Sequence, residues 1–347
     1  MDAVQDPDLT AGEQLAAVLR DRLAVKYGPG TKVEGLVRLS GGASRETWSF
    51  DAVLPSGARQ PLILKRDPMD RQADKQFEGV PEGRLAVDRW TEGRLFQLAG
   101  GAGTPVPEVP FFLARDERTT EGFFTHRLEG ETLGRRILRE DTYAGARTKL
   151  AFQVGHAAAR FHGIDLDLLP PMRGLPAADE LLHYRTIMDS FHQPHAGFEY
   201  GFRWLQERLE QAGNRYTLNH GDFRNGNILV NQDGLCGVLD WESAHLGNPN
   251  SDLGWMCVRS WRYGYHDKVV GGFGDVSEML DGYEAGGGGR LDPAEIYFWQ
   301  VFGTLRWGIL CMILGFTHID GEQRTIEYAA IGRRAAETEY DLLQLLN

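Results

Sequence analysis

The residues with the clearest chemical potential are His220-Gly221-Asp222-Phe223-Arg224-Asn225-Gly226-Asn227, which run into the apolar stretch Ile228-Leu229-Val230. An Asp and an Asn stand five positions apart on a loop, and Asp240 follows thirteen residues after Asn227, at the end of the next apolar run, Leu235 to Leu239. Asn227 and Asp240 offer hard oxygen donors, the type that Mg²⁺ prefers. Asp222 can orient a hydroxyl and accept its proton late in a reaction, since an ordinary carboxylate is too weak a base to ionise an alcohol beforehand. Phosphoryl transfer needs this combination. The transferring group spreads negative charge over its oxygens, and a bridging metal ion neutralises it. His220-Gly221-Asp222 alone is equally a turn with an Asx cap. The whole string together with Asp240 is far more specific.

That spacing resembles the catalytic loop and metal-binding Asp of kinases. With Asp240-Trp241-Glu242, the string resembles the aminoglycoside phosphotransferase and choline kinase superfamily, over residues 33 to 340. The resemblance implies a protein-kinase-like α+β fold in two lobes. A small antiparallel β lobe with one main helix precedes a larger, mostly helical lobe. It also implies ATP as phosphate donor, Asp222 as catalytic base, and Asn227 and Asp240 as Mg²⁺ ligands. Asp252, in Asn248-Pro249-Asn250-Ser251-Asp252, resembles an Asp that braces the catalytic loop, although a first-turn Asp facing a helix dipole reads the same way. His220 is structural by the same resemblance. His162 reads as a packed histidine, and neither has zinc-site spacing.

The first lobe should then hold a phosphate-binding lysine. Leu62-Ile63-Leu64-Lys65 is an apolar strand ending in a lysine, and Glu92 on the following helix is the natural ion-pair partner. Ser40-Gly41-Gly42-Ala43-Ser44 stands where a phosphate loop belongs. Gly41 and Gly42 permit close backbone approach, and Ser40 or Ser44 can donate to phosphate, although a plain hairpin turn reads similarly. Phe123 to Gly130 resembles the hinge between lobes, with backbone groups from Thr125 to Arg127 near the adenine edge.

These residues need elements to hold them. Leu15, Val18, Leu19 and Leu23 recur at helical spacing behind a capping box at Thr10 to Glu13, so residues 10–27 read as an amphipathic helix. Short β-type runs follow at Gly35 to Leu39, Thr47 to Val53, Leu62 to Lys65 and Phe111 to Ala114, with turn residues between them. One helix, over residues 85–99, interrupts the runs, and residues 66–83 read as a long mobile loop. Beyond Gly130 the expected helices cover 141–163, 177–191, 197–213, 249–262, 275–285, 293–317 and 323–345. A compact β segment, Leu218 to Leu239, turns at Gln232-Asp233-Gly234. This divides the chain into a nucleotide-binding lobe, 1–125, and a helical lobe with the catalytic loop and acceptor site, 126–347. The cleft between them is the expected site.

Composition supports an ordinary globular enzyme: of 347 residues, 42% are hydrophobic and 25% charged. The net charge of −12 argues against a nucleic-acid partner, which selects a basic face. The three cysteines are widely spaced and odd in number, which argues against a disulfide framework and a zinc cluster. The N-terminus shows no apolar signal core, and the apolar stretch from Ile296 to Phe316 is broken by Gln300 and Arg306. It therefore reads as a buried helix, with no membrane partner and a cytoplasmic location.

The expected acceptor is a small-molecule hydroxyl. Trp255, Trp261, Tyr263, Tyr265, Trp299 and Trp307 give its expected wall an aromatic cast, and no dense acidic run is present to hold a polycation. Arg224, and the segment from Leu239 to Pro249, are similar to the subgroup of these kinases linked to acyl-CoA dehydrogenases. That similarity implies a hydroxyacyl (CoA-linked) or other metabolic hydroxyl in place of an antibiotic. Protein kinase activity is disfavoured because the HRD, DFG and APE strings are missing. A nucleotide-binding pseudokinase scaffold is disfavoured because Lys65, Asp222, Asn227 and Asp240 are all present.

Overall fold

The computed structural model describes residues 11–39, 45–69, 86–321 and 324–347. The expected phosphate loop, with Ser40, Gly41, Gly42 and Ser44, lies outside the described residues, as do Thr10 and most of the 66–83 segment. Helix α1 (Ala11–Tyr27) lays Leu15, Leu19 and Leu23 against Trp48, Phe50 and Phe124. Strands β1 (Lys32–Arg38), β2 (Glu46–Val53) and β3 (Arg59–Arg66) follow, and β2 alternates buried with half-buried residues, as a strand with one covered face should. Helix α2 (Arg89–Gly101) is capped by Asp88, whose side chain accepts from the Thr91 N–H at 2.6 Å.

Strands β4 (Phe111–Leu113) and β5 (Gly122–His126) complete an antiparallel sheet of order β1-β2-β3-β5-β4. The sequence predicts no strand at β5. Four of its five residues are buried, so it lacks the alternation that marks a half-exposed strand.

The helical part begins with α3 (Gly134–Arg139), α4 (Ala144–His162), α5 (Ala177–Ser190) and α6 (Ala196–Gln206). Then β6 (Thr217–Asn219), β7 (Ile228–Asn231), β8 (Gly234–Val238) and β9 (His245–Gly247) form two small pairs, β6 with β9 and β7 with β8. The catalytic-motif loop joins β6 to β7, and Asp240 follows β8. Helices α7 (Asn250–Met256), α8 (Val276–Ala285), α9 (Pro293–Ile319), α10 (Ile326–Gly332) and α11 (Arg334–Leu346) close the chain.

Three predicted helices are shorter than expected, the 197–213 helix among them, which stops at Gln206 before a 3₁₀ turn at Leu209–Ala212. The 249–262 helix stops at Met256 before a 3₁₀ turn at Arg259–Arg262, and the 323–345 helix breaks into α10 and α11. By length and composition α9 could cross a membrane, but it packs against α6, α7, α10 and α11. One core cluster spans α2, α4, the β7–β8 pair and α8, so the main helix of the sheet lobe shares a core with the helical lobe.

Candidate functional site

Asp252 organises the catalytic-motif loop. Its carboxylate accepts from the backbone N–H of His220 at 2.7 Å and of Gly221 at 2.9 Å, and from His162 Nε2 at 3.2 Å. Because Asp252 only accepts, Nε2 of His162 carries the hydrogen, and Nδ1 accepts from the Tyr283 hydroxyl at 3.1 Å. Burial lowers the pKa of His162 and keeps it neutral. Burial works against the charge of Asp252, but the hydrogen bond from His162, aided by the His220 N–H, outweighs it and holds the carboxyl below its ordinary range. The bracing role is therefore visible in the bonds, and His162 is the packed histidine the sequence suggests.

The loop's path also requires Gly221. Its φ is +80°, and a Cβ there would lie 2.1 Å from the Ser243 carbonyl oxygen. His220 donates from Nε2 to the Leu239 carbonyl at 2.8 Å, and it lies against the buried Trp241 ring, 4.7 Å between centroids. These contacts tie the loop to the segment that carries Asp240.

Asp222 is held by three side chains. Its Oδ1 accepts from Trp255 Nε1 at 2.8 Å and Arg224 Nε at 2.9 Å, and its Oδ2 accepts from Asn227 Nδ2 at 2.6 Å. Asn227 Nδ2 also donates to the Asp222 carbonyl at 2.9 Å, which fixes the amide and leaves Oδ1 as its oxygen donor. Arg306 is a site residue that sequence reasoning missed, and Trp255, expected only in the aromatic acceptor wall, proves to be a donor to Asp222. Arg306 donates to the Gly221 carbonyl at 2.8 Å and lies over the Trp255 ring, 4.5 Å from its centroid. The one available signal was a lone arginine inside the apolar α9 stretch.

Lys65 and Glu92, expected as a pair, are 2.5 Å apart, and Lys65 Nζ also reaches Asp240 Oδ1 at 2.6 Å. Burial works against the lysine charge, but Asp240 and then Glu92 more than offset it and raise its pKa. The same ammonium overrides burial at Asp240 and holds that carboxyl at about 2. Asp240 adopts the left-handed conformation, φ 63°, which costs a non-glycine residue on the order of 1 kcal/mol and recurs at functional sites. Glu92 is fully buried and also pairs with Arg89, while Arg45 stands 3.5 Å from it and 3.3 Å from Glu242. Arg45, Arg89 and Glu242 are further members that the sequence did not reveal.

Thr125 lies on β5 opposite Ile63. The N–H of Arg127 donates to the Pro61 carbonyl at 3.0 Å, and its guanidinium reaches Ser49 and Asp51, each at 2.9 Å.

Among the described residues no three His, Cys, Asp or Glu side chains cluster as a metal site. Asp240 and the Asn227 amide oxygen fit Mg²⁺, which takes few protein oxygens and completes its shell with phosphate and water. The chain thus brings a paired lysine, two hard oxygen donors and an oriented carboxylate to the junction of sheet and helices. The sequence matches the phosphotransferase enzyme family over residues 36–288.

The chain belongs to that family. Among curated proteins it is 28% identical over 207 residues to acyl-CoA dehydrogenase family member 11 of Pongo abelii, a stretch covering 56% of this chain and 24% of that protein. Among solved structures it resembles a Ralstonia eutropha protein assigned to the aminoglycoside phosphotransferases, with TM-score 0.70, 16% identity and 96% and 97% of the two chains covered. It also resembles a thermostable mutant of aminoglycoside phosphotransferase APH(4)-Ia in ternary complex with ADP and hygromycin B, with TM-score 0.56, 15% identity and 94% and 97% covered. At these identities the structures establish the protein-kinase-like fold of this phosphotransferase.

Proposed function

We propose that this phosphotransferase moves the γ-phosphoryl group of ATP to the hydroxyl of a small molecule, with Mg²⁺. The observation that carries the reading is the convergence of Lys65, Glu92 and Asp240 within 2.6 Å contacts beside the loop that holds Asp222 and Asn227. Lys65, fixed by Glu92, binds the α- and β-phosphates. Backbone groups from Thr125 to Arg127 border the adenine. Residues 1–125 form the nucleotide lobe and 126–347 the acceptor lobe. Asp240 and Asn227 hold Mg²⁺, which when bound neutralises charge on the phosphate oxygens.

Asp222 orients the acceptor hydroxyl. As the acceptor oxygen bonds to the γ-phosphorus, the bond from that phosphorus to the bridging oxygen breaks. ADP leaves with the electron pair, and the hydroxyl proton passes to Asp222. The similarity to acyl-CoA dehydrogenase family member 11 favours a hydroxyacyl acceptor over an antibiotic. The three free thiols suit a reducing cytoplasm.

Purified protein with Mg²⁺-ATP and a panel of hydroxyl compounds tests the reading through ADP release and a phosphorylated product. Asp222→Asn should lower kcat by about 10²- to 10⁴-fold with near-normal ATP affinity. Full activity in that variant removes the base role, and a protein that binds neither nucleotide nor Mg²⁺ is no kinase.

A further inference from the structure

Arg224 is built into the base. Its Nε donates to Asp222 Oδ1 at 2.9 Å, its Nη1 donates to the neutral Asn225 carbonyl at 2.9 Å, and its guanidinium lies 4.5 Å from the Trp261 ring centroid. The side chain keeps 25% of its surface exposed, so a ligand can reach it. Gly226 clears its place, because a Cβ there would stand 2.7 Å from Arg224 Nη1. Trp255 donates to the same carboxylate oxygen as Arg224, so Asp222 Oδ1 carries two donors where Oδ2 carries the one from Asn227.

The wall behind this pair is rich in donors and positive charge. Trp255 and Trp261 stand 5.2 Å apart, and Trp261 and Trp307 stand 4.8 Å apart. Arg306 lies over the first of these rings, and the buried Arg262 donates only to the Cys257 and His266 carbonyls among its described bonds. The indole N–H of Trp261, that of Trp307 and Nε of Arg306 are buried without partners. Unpartnered buried donors call for an acceptor that the protein itself does not provide. In a chain of net charge −12, two guanidinium groups beside the base, Arg224 on Asp222 and Arg306 on the Gly221 carbonyl, run against the overall balance, although the buried Glu180 and Asp252 offset part of the charge of Arg306.

We propose that the acceptor carries an oxyanion, a carboxylate or a phosphate, beside its hydroxyl, and that Arg224 binds it. The proposal rests on the kinase reading above. Guanidinium suits a planar, two-bond grip on an oxyanion. When the oxyanion takes Arg224, Asp222 keeps its bonds from Trp255 and Asn227, and Oδ1 regains a lone pair for the hydroxyl proton. An acceptor without the anion leaves the Arg224 hydrogen bond on Asp222 Oδ1, so that oxygen stays engaged when the hydroxyl arrives. Specificity therefore acts on kcat as well as on KM.

The test uses the full chain with Mg²⁺-ATP and four probes: 3-hydroxybutyrate, glycerol 3-phosphate, neutral 1,3-butanediol and cationic 4-amino-2-butanol. Turnover and tryptophan fluorescence titration are the readouts. One of the two anions should exceed the neutral diol by about 10- to 100-fold in kcat/KM, and the better one names the oxyanion. Arg224→Gln should collapse that ratio, Arg224→Lys should retain part of it, and Arg203→Gln on the exposed face of α6 should leave it unchanged. Preference for the amino alcohol, equal loss on all four probes in Arg224→Gln, or no binding in any arm overturns the proposal. Thermal stabilisation by Mg²⁺-ATP is measured in parallel. Its absence refutes the kinase reading itself, whereas its presence without an anion preference refutes only the role given to Arg224.

Discussion

Glu92 is a fully buried carboxylate approached by Lys65, Arg89 and Arg45, and each of these cations leans on it differently. Removing a buried charge whose partners remain leaves those partners uncompensated, which costs about 3–5 kcal/mol. Glu92→Gln should therefore lower Tm strongly. Lys65→Met should lower it less, because Glu92 then keeps Arg89 and Arg45. Calorimetry on both variants checks the order, and equal losses would show that the cations do not share Glu92. Lys65 and Glu92 were legible in the sequence because an apolar strand ends in a lysine ahead of a helix that carries a glutamate, the order the family resemblance implies. Arg45 was not, because it meets Glu92 across 47 residues and nothing local marks the contact. Trp255 was legible as an aromatic but not as a donor to Asp222, since indole orientation depends on how α7 packs against α9.

Elements pack closely here through missing side chains. A Cβ on Gly155 of α4 would stand 1.9 Å from the Met279 carbonyl oxygen, and one on Gly282 of α8 would stand 1.9 Å from that of Phe152. The two helices thus meet backbone to backbone, and α4 is the helix whose His162 steadies Asp252. Gly155→Ala should destabilise the fold by about 1–3 kcal/mol and lower kcat more than ATP affinity, because it pushes His162 from the loop brace. Melting curves with single-turnover kinetics test this, and a silent substitution would contradict the close crossing. The docking of α11 carries its own signature. Burial, then the charge of Glu337, pushes Asp341 up to about 6 against the pull of Arg259 at 3.2 Å. The folded chain therefore holds a proton there that the unfolded chain has released. This stabilisation is complete below the ordinary aspartate range and is lost as pH rises through 6. Relative to Asp341→Asn, the parent protein should lose on the order of 1–2 kcal/mol between pH 4 and 7, read from denaturation at each pH. Helices with capping signals and clear periodicity were legible, as with α8, where Asp275 and Glu278 form a capping box. The break between α10 and α11 was not, because a lone glycine inside a periodic run is also tolerated within a helix, and the close approach of Gly332 to Gly315 of α9 is a tertiary contact that no local pattern marks.

At the scale of the molecule, Lys65 on the sheet and Asp240 on the helical side form a direct ion pair between the parts that the proposed nucleotide must separate and bridge. The two-lobed plan was legible in the change from β-type runs to helical periodicity near Gly130. The shared core beneath the junction was not, since α2 contributes Leu95 and Phe96 to the same cluster as α4 and β8. With a shared core beneath the junction, the proposed nucleotide would act by replacing this ion pair, with Lys65 moving to phosphate and Asp240 to Mg²⁺, while the buried contacts beneath stay in place. Binding at about 100 times Kd adds about 2.7 kcal/mol of stability, which for a chain of this size raises Tm by about 3–5 °C. Adding EDTA to the ATP-bound protein should remove most of the shift. In Asp240→Asn the shift with ATP should be small and nearly the same with or without Mg²⁺, because the carboxylate proposed to bear the metal is gone while Lys65, fixed by Glu92, still receives the phosphates. A full Mg²⁺-dependent shift in that variant would mean that the metal is held elsewhere. An equal loss in the absence of Mg²⁺ would mean that Asp240 matters only as the counter-ion that positions Lys65.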